Sequence, residues 1–148
     1  MNAAGQNVLN LVMRAVLATP VLHRAVSDRI LVLDVVGRKS GKRYRIPVGY
    51  APDGADLLIG TAGRWRRNLV ADRPIGYVRA CRRRRATAEV VTDETNCTEL
   101  YRRILAHNPV HGRFAGIRSE PDGAPNQDDL RRALAAGTAV VRLLPLPD

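Results

Sequence analysis

The sequence predicts a mainly β (α+β) fold, in which mostly antiparallel strands form a barrel and helices lie on its outside. Residues 43–50 alternate between apolar and polar side chains, which is typical of a strand with one buried face. After Asp93 the apolar residues change to helical spacing. The 148 residues show no internal repeat and no linker, so we expect a single barrel domain over residues 1–148.

The first part of the barrel is predicted as strands separated by polar turns. A run of β-branched and apolar residues at 30–36 predicts a buried strand, and Pro52-Asp53-Gly54 predicts a turn. Further strands are predicted at 43–50, 55–61, 74–80 and 85–91. A short helix is predicted over 64–72, and a turn is expected through Arg82, Arg83 and Arg84.

The remainder is predicted as two helices and a final strand. Asp93 suits the N-cap of a helix that ends at His107, before Asn108-Pro109. Residues 109–125 are expected to form a loop. Asn126 then caps a second short helix, Gly137 follows its last turn, and residues 138–144 form the last strand.

An apolar stretch from Val8 to Leu22 predicts an amphipathic helix within residues 1–25. Asn10, Arg14 and Pro20 interrupt the stretch, so it is too short to span a membrane. It also lacks the early basic region of a secretory signal. The helix either packs on the barrel or contacts a membrane surface. We therefore predict a cytoplasmic protein, which in the second case associates peripherally with a membrane.

The two cysteines have no spacing that indicates a disulfide scaffold or a metal site. Cys81 and Cys97 form no C-x-x-C pair and no zinc-ligand pattern with the three histidines. We therefore expect reduced thiols and no metal.

The positive charge of the chain is concentrated in its middle segment. The formal net charge is +10, and residues 30–85 contain 14 of the 24 basic residues but only 4 of the 14 acidic ones. Such a field attracts polyanions and speeds their capture. Nucleic acid is one candidate polyanion, but the arginines lack the interleaved aromatic residues that stack on bases, so no specific nucleic-acid partner is expected.

A basic turn between two predicted strands is the strongest candidate binding element. Gly37 and Gly41 flank Arg38, Lys39 and Ser40, with Lys42 following. Glycines permit close approach of a ligand, backbone amides can form an anion-binding concavity, and the cations and hydroxyl add donors. A solvated hairpin tip is the alternative, and the pattern is not a nucleotide-binding P-loop.

The chain resembles the family of deazaflavin (coenzyme F-420)-dependent nitroreductases and quinone reductases in two motifs. These are Gly-Arg-Lys-Ser-Gly-Lys at 37–42, before a strand ending in Pro-Val-Gly-Tyr, and Trp-Arg-Arg-Asn-Leu at 65–69. The resemblance covers residues 28–92 well and the rest loosely. It implies an FMN-binding-like split β-barrel with flanking helices, which binds the reduced deazaflavin.

The resemblance also assigns residues to the coenzyme site. It places Arg38, Lys39, Ser40 and Gly41 at the coenzyme phosphate, Pro47 near the ring system, and Trp65 and Asn68 on a helix that walls the site. Thr61 belongs to a segment that is shorter in this chain than the corresponding loop of some family members. After the long helix, quinone-reducing members have tyrosines where this chain has His111 and Phe114.

These assignments predict an oxidoreductase that passes a hydride from reduced coenzyme F-420 to a quinone, nitroaromatic or other electron-poor small molecule. His111 is the candidate proton donor because its usual pKa lies near neutrality, and Phe114 is the candidate substrate contact. One alternative is a non-catalytic deazaflavin- or flavin-binding protein. Another is FMN in place of the deazaflavin. The sequence leaves the acceptor and the oligomeric state open.

Overall fold

The computed structural model describes residues 29–147, so the predicted N-terminal helix within residues 1–25 lies outside the described residues. In the described part, seven strands form one sheet. They are β1 Ile30–Val36, β2 Arg43–Gly49, β3 Ala51–Asp53, β4 Asp56–Thr61, β5 Ile75–Arg79, β6 Arg82–Val91 and β7 Ala139–Pro145.

Every strand pair in this sheet is antiparallel, and the order across it is β2-β1-β5-β6-β7-β4-β3. Because β2 also approaches β4, which is not its hydrogen-bonded neighbour, the sheet curls into a half-barrel. Curling buries one face of the sheet against itself, while the opposite face is left for helices. The predicted antiparallel barrel is therefore confirmed.

Strand alternation divides the apolar side chains between two cores. On β4, Leu57 and Ile59 point into the half-barrel, whereas Leu58 between them points outward. The inner core also contains Leu33 of β1 and Tyr77 of β5, both almost fully buried. Each face of the sheet therefore carries its own apolar cluster.

Three α-helices are described: α1 Glu94–His107, α2 Pro109–Ala115 and α3 Gln127–Ala135. The predicted N-caps are confirmed, because the Asp93 side chain accepts from the Asn96 amide at 2.9 Å and Asn126 accepts from the Asp129 amide at 3.0 Å. α1 buries its apolar face in the outer core, which includes Leu100, Ile104 and Val140. None of the described helices has the length and apolar character that a membrane span requires.

The prediction of a loop over 109–125 is wrong for its first half, which is α2. Pro109 occupies the first helical position, where a missing amide hydrogen costs nothing, so this proline starts a helix as well as ending one. Gly116 ends α2 with a left-handed φ of 70°.

Two other boundaries differ from prediction. The turn expected through Arg82–Arg84 is instead made by Ala80 and Cys81, whose φ values of 50° and 64° close a two-residue hairpin, so the arginines lie within β6. The helix expected over 64–72 is a shorter 3-10 helix, Arg64–Asn68.

Candidate functional site

The basic turn 37–42 is a closed hairpin tip with its cations on the surface. The Gly37 amide donates to the Lys42 carbonyl at 2.8 Å, and the Gly41 amide, with φ at 71°, donates to the Gly37 carbonyl at 2.9 Å. Ser40 Oγ accepts from the Lys42 amide at 3.2 Å. Arg38 and Lys39 are exposed, so their charges face a ligand that approaches from solvent.

Gly37 is required by the space around it. A Cβ atom at this position would lie 2.7 Å from Ser40 Oγ and 3.1 Å from Cε2 of Tyr44. The first distance is far below normal contact, so a side chain at Gly37 would push the serine out of the turn.

Asn68 joins the basic turn to the 3-10 helix. Its Oδ1 accepts from the Arg38 amide at 3.0 Å, and its Nδ2 donates to the Trp65 carbonyl at 3.2 Å. One amide side chain thus links two motifs that are 30 residues apart in sequence. The structure brings both predicted motifs into one region.

Trp65 is half-buried and packs against the inner core, as do Ile46 and Val48 of β2. Its indole lies over Gly63, where a Cβ would be only 2.5 Å from the ring. The Thr61 side chain fixes the position of Gly63 under the indole, since its Oγ1 accepts from the Gly63 amide at 2.9 Å. Thr61 and Trp65 therefore form one local unit at the end of β4.

Pro47 lies on the other face of β2. It pairs with Val32 of β1 and alternates with Ile46 and Val48, so its ring points away from the inner core on which Trp65 packs. The structure therefore does not bring Pro47 and Trp65 together on one face of the strand.

His111 and Phe114 lie on α2, in unlike surroundings. His111 is half-buried against the Tyr101 ring, with ring centroids 5.7 Å apart. Its Nδ1 lies 3.9 Å from the position of a Cβ on Gly49, two residues beyond Pro47 on β2. Burial lowers the pKa of His111 below its usual value of 6.5. Phe114 is 74% exposed, an unusual position for a large apolar side chain.

An arginine-lined cleft of about 620 Å³ adjoins the basic turn on the outer face of β1, β5 and β6. Arg38 and Asn68 belong to its wall, which connects the cleft with the turn. The other arginines in the wall are Arg43, Arg73, Arg83, Arg84 and Arg85. Apart from Arg38 and Asn68, the individual residues of this cleft were not predicted. The positive charge excess of residues 30–85 was the feature of the sequence that indicated it.

Asp34 is a buried carboxylate on the floor of this cleft. Its two oxygens lie 3.6 Å from Arg45 Nε and 3.6 Å from Arg83 Nη2. Gly76 stands opposite Asp34 on β5, and a Cβ there would come within 3.3 Å of the carboxylate. The absence of a side chain at Gly76 thus leaves room for the Asp34 carboxylate near the two arginines.

Among residues 29–147, no group of three or more His, Cys, Asp and Glu side chains is arranged to hold a metal ion. The two cysteines are not joined, with Cys81 exposed and Cys97 buried.

Three solved structures are similar to the chain in fold. An F420-H2-dependent reductase (FDR-A) is 12% identical, with a TM-score of 0.53 over 78% of this chain and 93% of its own. An F420 reductase is 19% identical, with a TM-score of 0.50 over 81% and 88% of the two chains. A conserved hypothetical protein of Mycobacterium tuberculosis is 12% identical, with a TM-score of 0.54 over 84% and 80%. The curled sheet is thus a split β-barrel of the FMN-binding type.

No curated protein sequence matches the chain significantly. A family model described as F420H(2)-dependent quinone reductase matches residues 11–118, which is more than half of the chain. The match includes the basic turn, the Trp-bearing 3-10 helix and all of α2. The chain therefore belongs to the F420H2-dependent quinone reductase family, whose members are reductases that use the deazaflavin coenzyme F-420.

Proposed function

We propose that this chain transfers a hydride from reduced coenzyme F-420 to a quinone, nitroaromatic or other electron-poor acceptor. The observation that carries the proposal is the hydrogen bond from the Arg38 amide to Asn68. It holds a cationic turn against the helix that bears Trp65, at the edge of a basic cleft. Reduction would take place in the cytoplasm, where an exposed thiol such as that of Cys81 stays reduced.

The donor chemistry of the turn fits the phosphate of the coenzyme. Arg38 and Lys39 are exposed cations, and guanidinium binds phosphate through two parallel hydrogen bonds. Ser40 uses a lone pair to accept from the Lys42 amide, so its own hydroxyl hydrogen can be donated to a phosphate oxygen. Gly41 has no Cβ to hinder the approach, and nothing lies within 4 Å of that position.

The arginine-lined cleft fits the acidic oligoglutamate tail of the same coenzyme. Its volume of about 620 Å³ can hold a chain of carboxylates, and it begins at Arg38, where the phosphate would be bound. Arg83 is 3.6 Å from Asp34 and its side chain is 70% exposed, so its guanidinium can turn toward a tail carboxylate that competes with Asp34.

The ring system would lie where β2, β4 and the 3-10 helix meet. We assign Trp65 as one wall of the ring pocket, with Thr61 fixing the loop that carries it. Pro47 lies on the opposite face of β2, so it is not part of this wall. When bound, the reduced deazaflavin supplies the hydride. The residues of this chain orient the ring and exclude water from it.

His111 acts as a neutral hydrogen-bond donor rather than as an imidazolium acid, because burial lowers its pKa. A neutral imidazole can still polarise a carbonyl oxygen as charge develops on it. Phe114 lies one turn further along α2, and its exposed ring provides an apolar surface for a quinone or an aromatic acceptor.

Spectral titration with reduced coenzyme F-420 tests the anchor. The double variant Arg38→Ala, Lys39→Ala removes two phosphate contacts, so we expect Kd to rise by about tenfold or more. The matched control is Arg131→Ala with Arg132→Ala, which removes the same charge from α3, outside the basic turn and cleft. An unchanged Kd in the double variant would refute the anchor.

Turnover distinguishes the reductase from the alternatives. Oxidation of the reduced coenzyme in the presence of quinones or nitroaromatics supports the proposed reaction. Tight binding without turnover across both panels would indicate a non-catalytic deazaflavin-binding protein. Absorbance of the purified protein that shows bound FMN would indicate the other flavin.

A further inference from the structure

Two buried polar atoms without hydrogen-bond partners lie where α1 and α2 meet the sheet. The hydroxyl of Tyr101, a residue that is 0% exposed, has no partner among the described residues, and neither has Nε2 of His111. An unsatisfied buried polar atom destabilises a fold, because the group loses its hydrogen bonds to water and gains none in return. Neither atom is hydrogen-bonded to the other, so a small polar group between them would satisfy both.

Both atoms point at the same glycine. A Cβ on Gly60 of β4 would lie 2.4 Å from the Tyr101 hydroxyl oxygen and 2.7 Å from His111 Nε2. The missing side chain is what allows the phenol and the imidazole to converge. The rings are tilted by 42°, so they do not stack face to face, and the polar atoms of both lie beside Gly60.

The backbone around His111 is tightly packed. A Cβ on Gly112, the next residue of α2, would lie 2.7 Å from the Ile117 carbonyl and 2.9 Å from Leu105 of α1. The His111 amide donates to the Asn108 carbonyl at 3.0 Å. α2 therefore packs closely against α1, which places Nε2 beside Tyr101.

The two groups have complementary hydrogen-bonding roles. Burial raises the pKa of the Tyr101 phenol and lowers the pKa of the His111 imidazole, so both groups are neutral near pH 7. A neutral phenol donates its hydrogen, and the unprotonated nitrogen of a neutral imidazole accepts one. Around His111, β4 presents Gly60, β2 presents Gly49, the start of α2 presents Asn108, and α1 presents Tyr101. None of these is a charged group.

We propose that one water molecule bridges the two groups, accepting from the Tyr101 hydroxyl and donating to His111 Nε2, and that Tyr101 in this way places the imidazole proton on Nδ1. Nδ1 is the nitrogen that faces Gly49, two residues beyond Pro47. Tyr101 is thus a positioning residue that aims a hydrogen-bond donor at the outer face of β2. The use of that donor in catalysis rests on the proposed function, whereas the tautomer itself does not.

Nitrogen-15 NMR of the histidine side chains tests the tautomer in the protein without coenzyme. His111→Gln assigns the signals. We expect the wild-type imidazole to carry its proton mainly on Nδ1. In Tyr101→Phe the ratio of tautomers should shift toward Nε2 by about three- to tenfold, the equivalent of one hydrogen bond. Tyr77→Phe, at another buried tyrosine, is the matched control and should leave the ratio unchanged.

Either of two results would overturn the proposal: a wild-type proton on Nε2, or an identical ratio in Tyr101→Phe. The first result needs only the signal assignment from His111→Gln, so it stands even if Tyr101→Phe fails to fold. Because no coenzyme is present, these results are independent of F-420 binding. In the active enzyme, Tyr101→Phe should lower kcat with little change in the Kd of the coenzyme.

Discussion

The imidazole of His111 lies between the Tyr101 ring of α1 and the glycines of β2 and β4. The spacing of residues along the chain placed this histidine in a loop after the long helix, where an accessible proton donor was expected. Its position on α2 gives it instead a half-buried ring with a lowered pKa. Because burial disfavours the charged form of the imidazole, His111 is a neutral group in the structure and not the accessible acid that the sequence predicted.

Burial of His111 makes the free energy of unfolding depend on pH. The pKa is below 6.5 in the folded state, so the stabilising contribution is fully present above pH 6.5 and is lost as pH falls through the folded pKa. We expect urea unfolding to show a loss of stability in the wild type as pH falls below about 6.5.

The loss should be smaller in His111→Gln, which has no titrating group at this position. His107→Gln is the control, because His107 is an exposed histidine at the end of α1, and it should retain the wild-type dependence. An equal loss in His111→Gln and in the wild type would contradict the assignment.

The short helix α3 is held at its start by polar side-chain contacts. α3 has nine residues, and the Asn126 cap and Asp129 hold its first turn. Asp129 is almost fully buried, and its Oδ2 accepts from the Arg118 amide at 3.0 Å and from Arg118 Nε at 2.8 Å. These bonds join α3 to the segment that follows α2.

The Asp129 carboxylate should control the acid stability of α3. Hydrogen bonds from the Arg118 side chain and backbone lower its pKa from 3.8 to about 2. This stabilisation is present above pH 3.8 and is lost as pH falls through about 2. Asp129→Asn removes the charge, and we expect Tm at pH 7 to fall by several degrees.

Asp128→Asn is the matched control, because the Asp128 side chain is 84% exposed and its nearest ion-pair distance is 3.9 Å, to Arg131. Its Tm should remain close to that of the wild type. Thermal unfolding followed by circular dichroism measures both variants. Equal Tm values for them would show that burial of Asp129 contributes nothing.

The order of strands in the sheet determines the electrostatic surface of the protein. β1, β5 and β6 are neighbours in the sheet although β1 and β6 are far apart in sequence, and their outer faces form the arginine-lined cleft. Within this cleft the acidic counter-charge is Asp34. A predominantly positive surface attracts a polyanion over a distance that ionic strength determines.

Asp34→Asn should strengthen coenzyme binding and weaken the fold. Loss of the carboxylate frees Arg45 and Arg83 from their 3.6 Å partner and raises the charge of the cleft by one. We expect Kd for reduced F-420 to fall about two- to fivefold at low salt, with less effect at high salt. The Tm should fall at the same time.

Asp56→Asn is the control for this change, because Asp56 pairs with Arg142 at 3.3 Å on β4, outside the cleft. Spectral titration at two ionic strengths measures both variants. If Asp34→Asn and Asp56→Asn had the same effect on Kd, the cleft would not be part of the coenzyme site.

Local chemistry made a large part of this fold predictable. The β-branched run at 30–36, the turn at Pro52-Asp53-Gly54, and the caps Asp93 and Asn126 each depend on residues within a few positions of one another. The family motifs identified the split barrel and the basic turn for the same reason, since each motif is continuous in the chain. Patterns of this kind can be recognised in the sequence because the interactions that produce them are short-range.

The hydrogen bond between Arg38 and Asn68, the convergence of Tyr101 and His111 on Gly60, and the cleft around Asp34 followed only from the folded arrangement. Each joins residues from strands or helices that are far apart in the chain. Neither periodicity nor capping determines such contacts, because they depend on strand order and on how the sheet curls. Their geometry is a property of packing, which no single stretch of residues encodes.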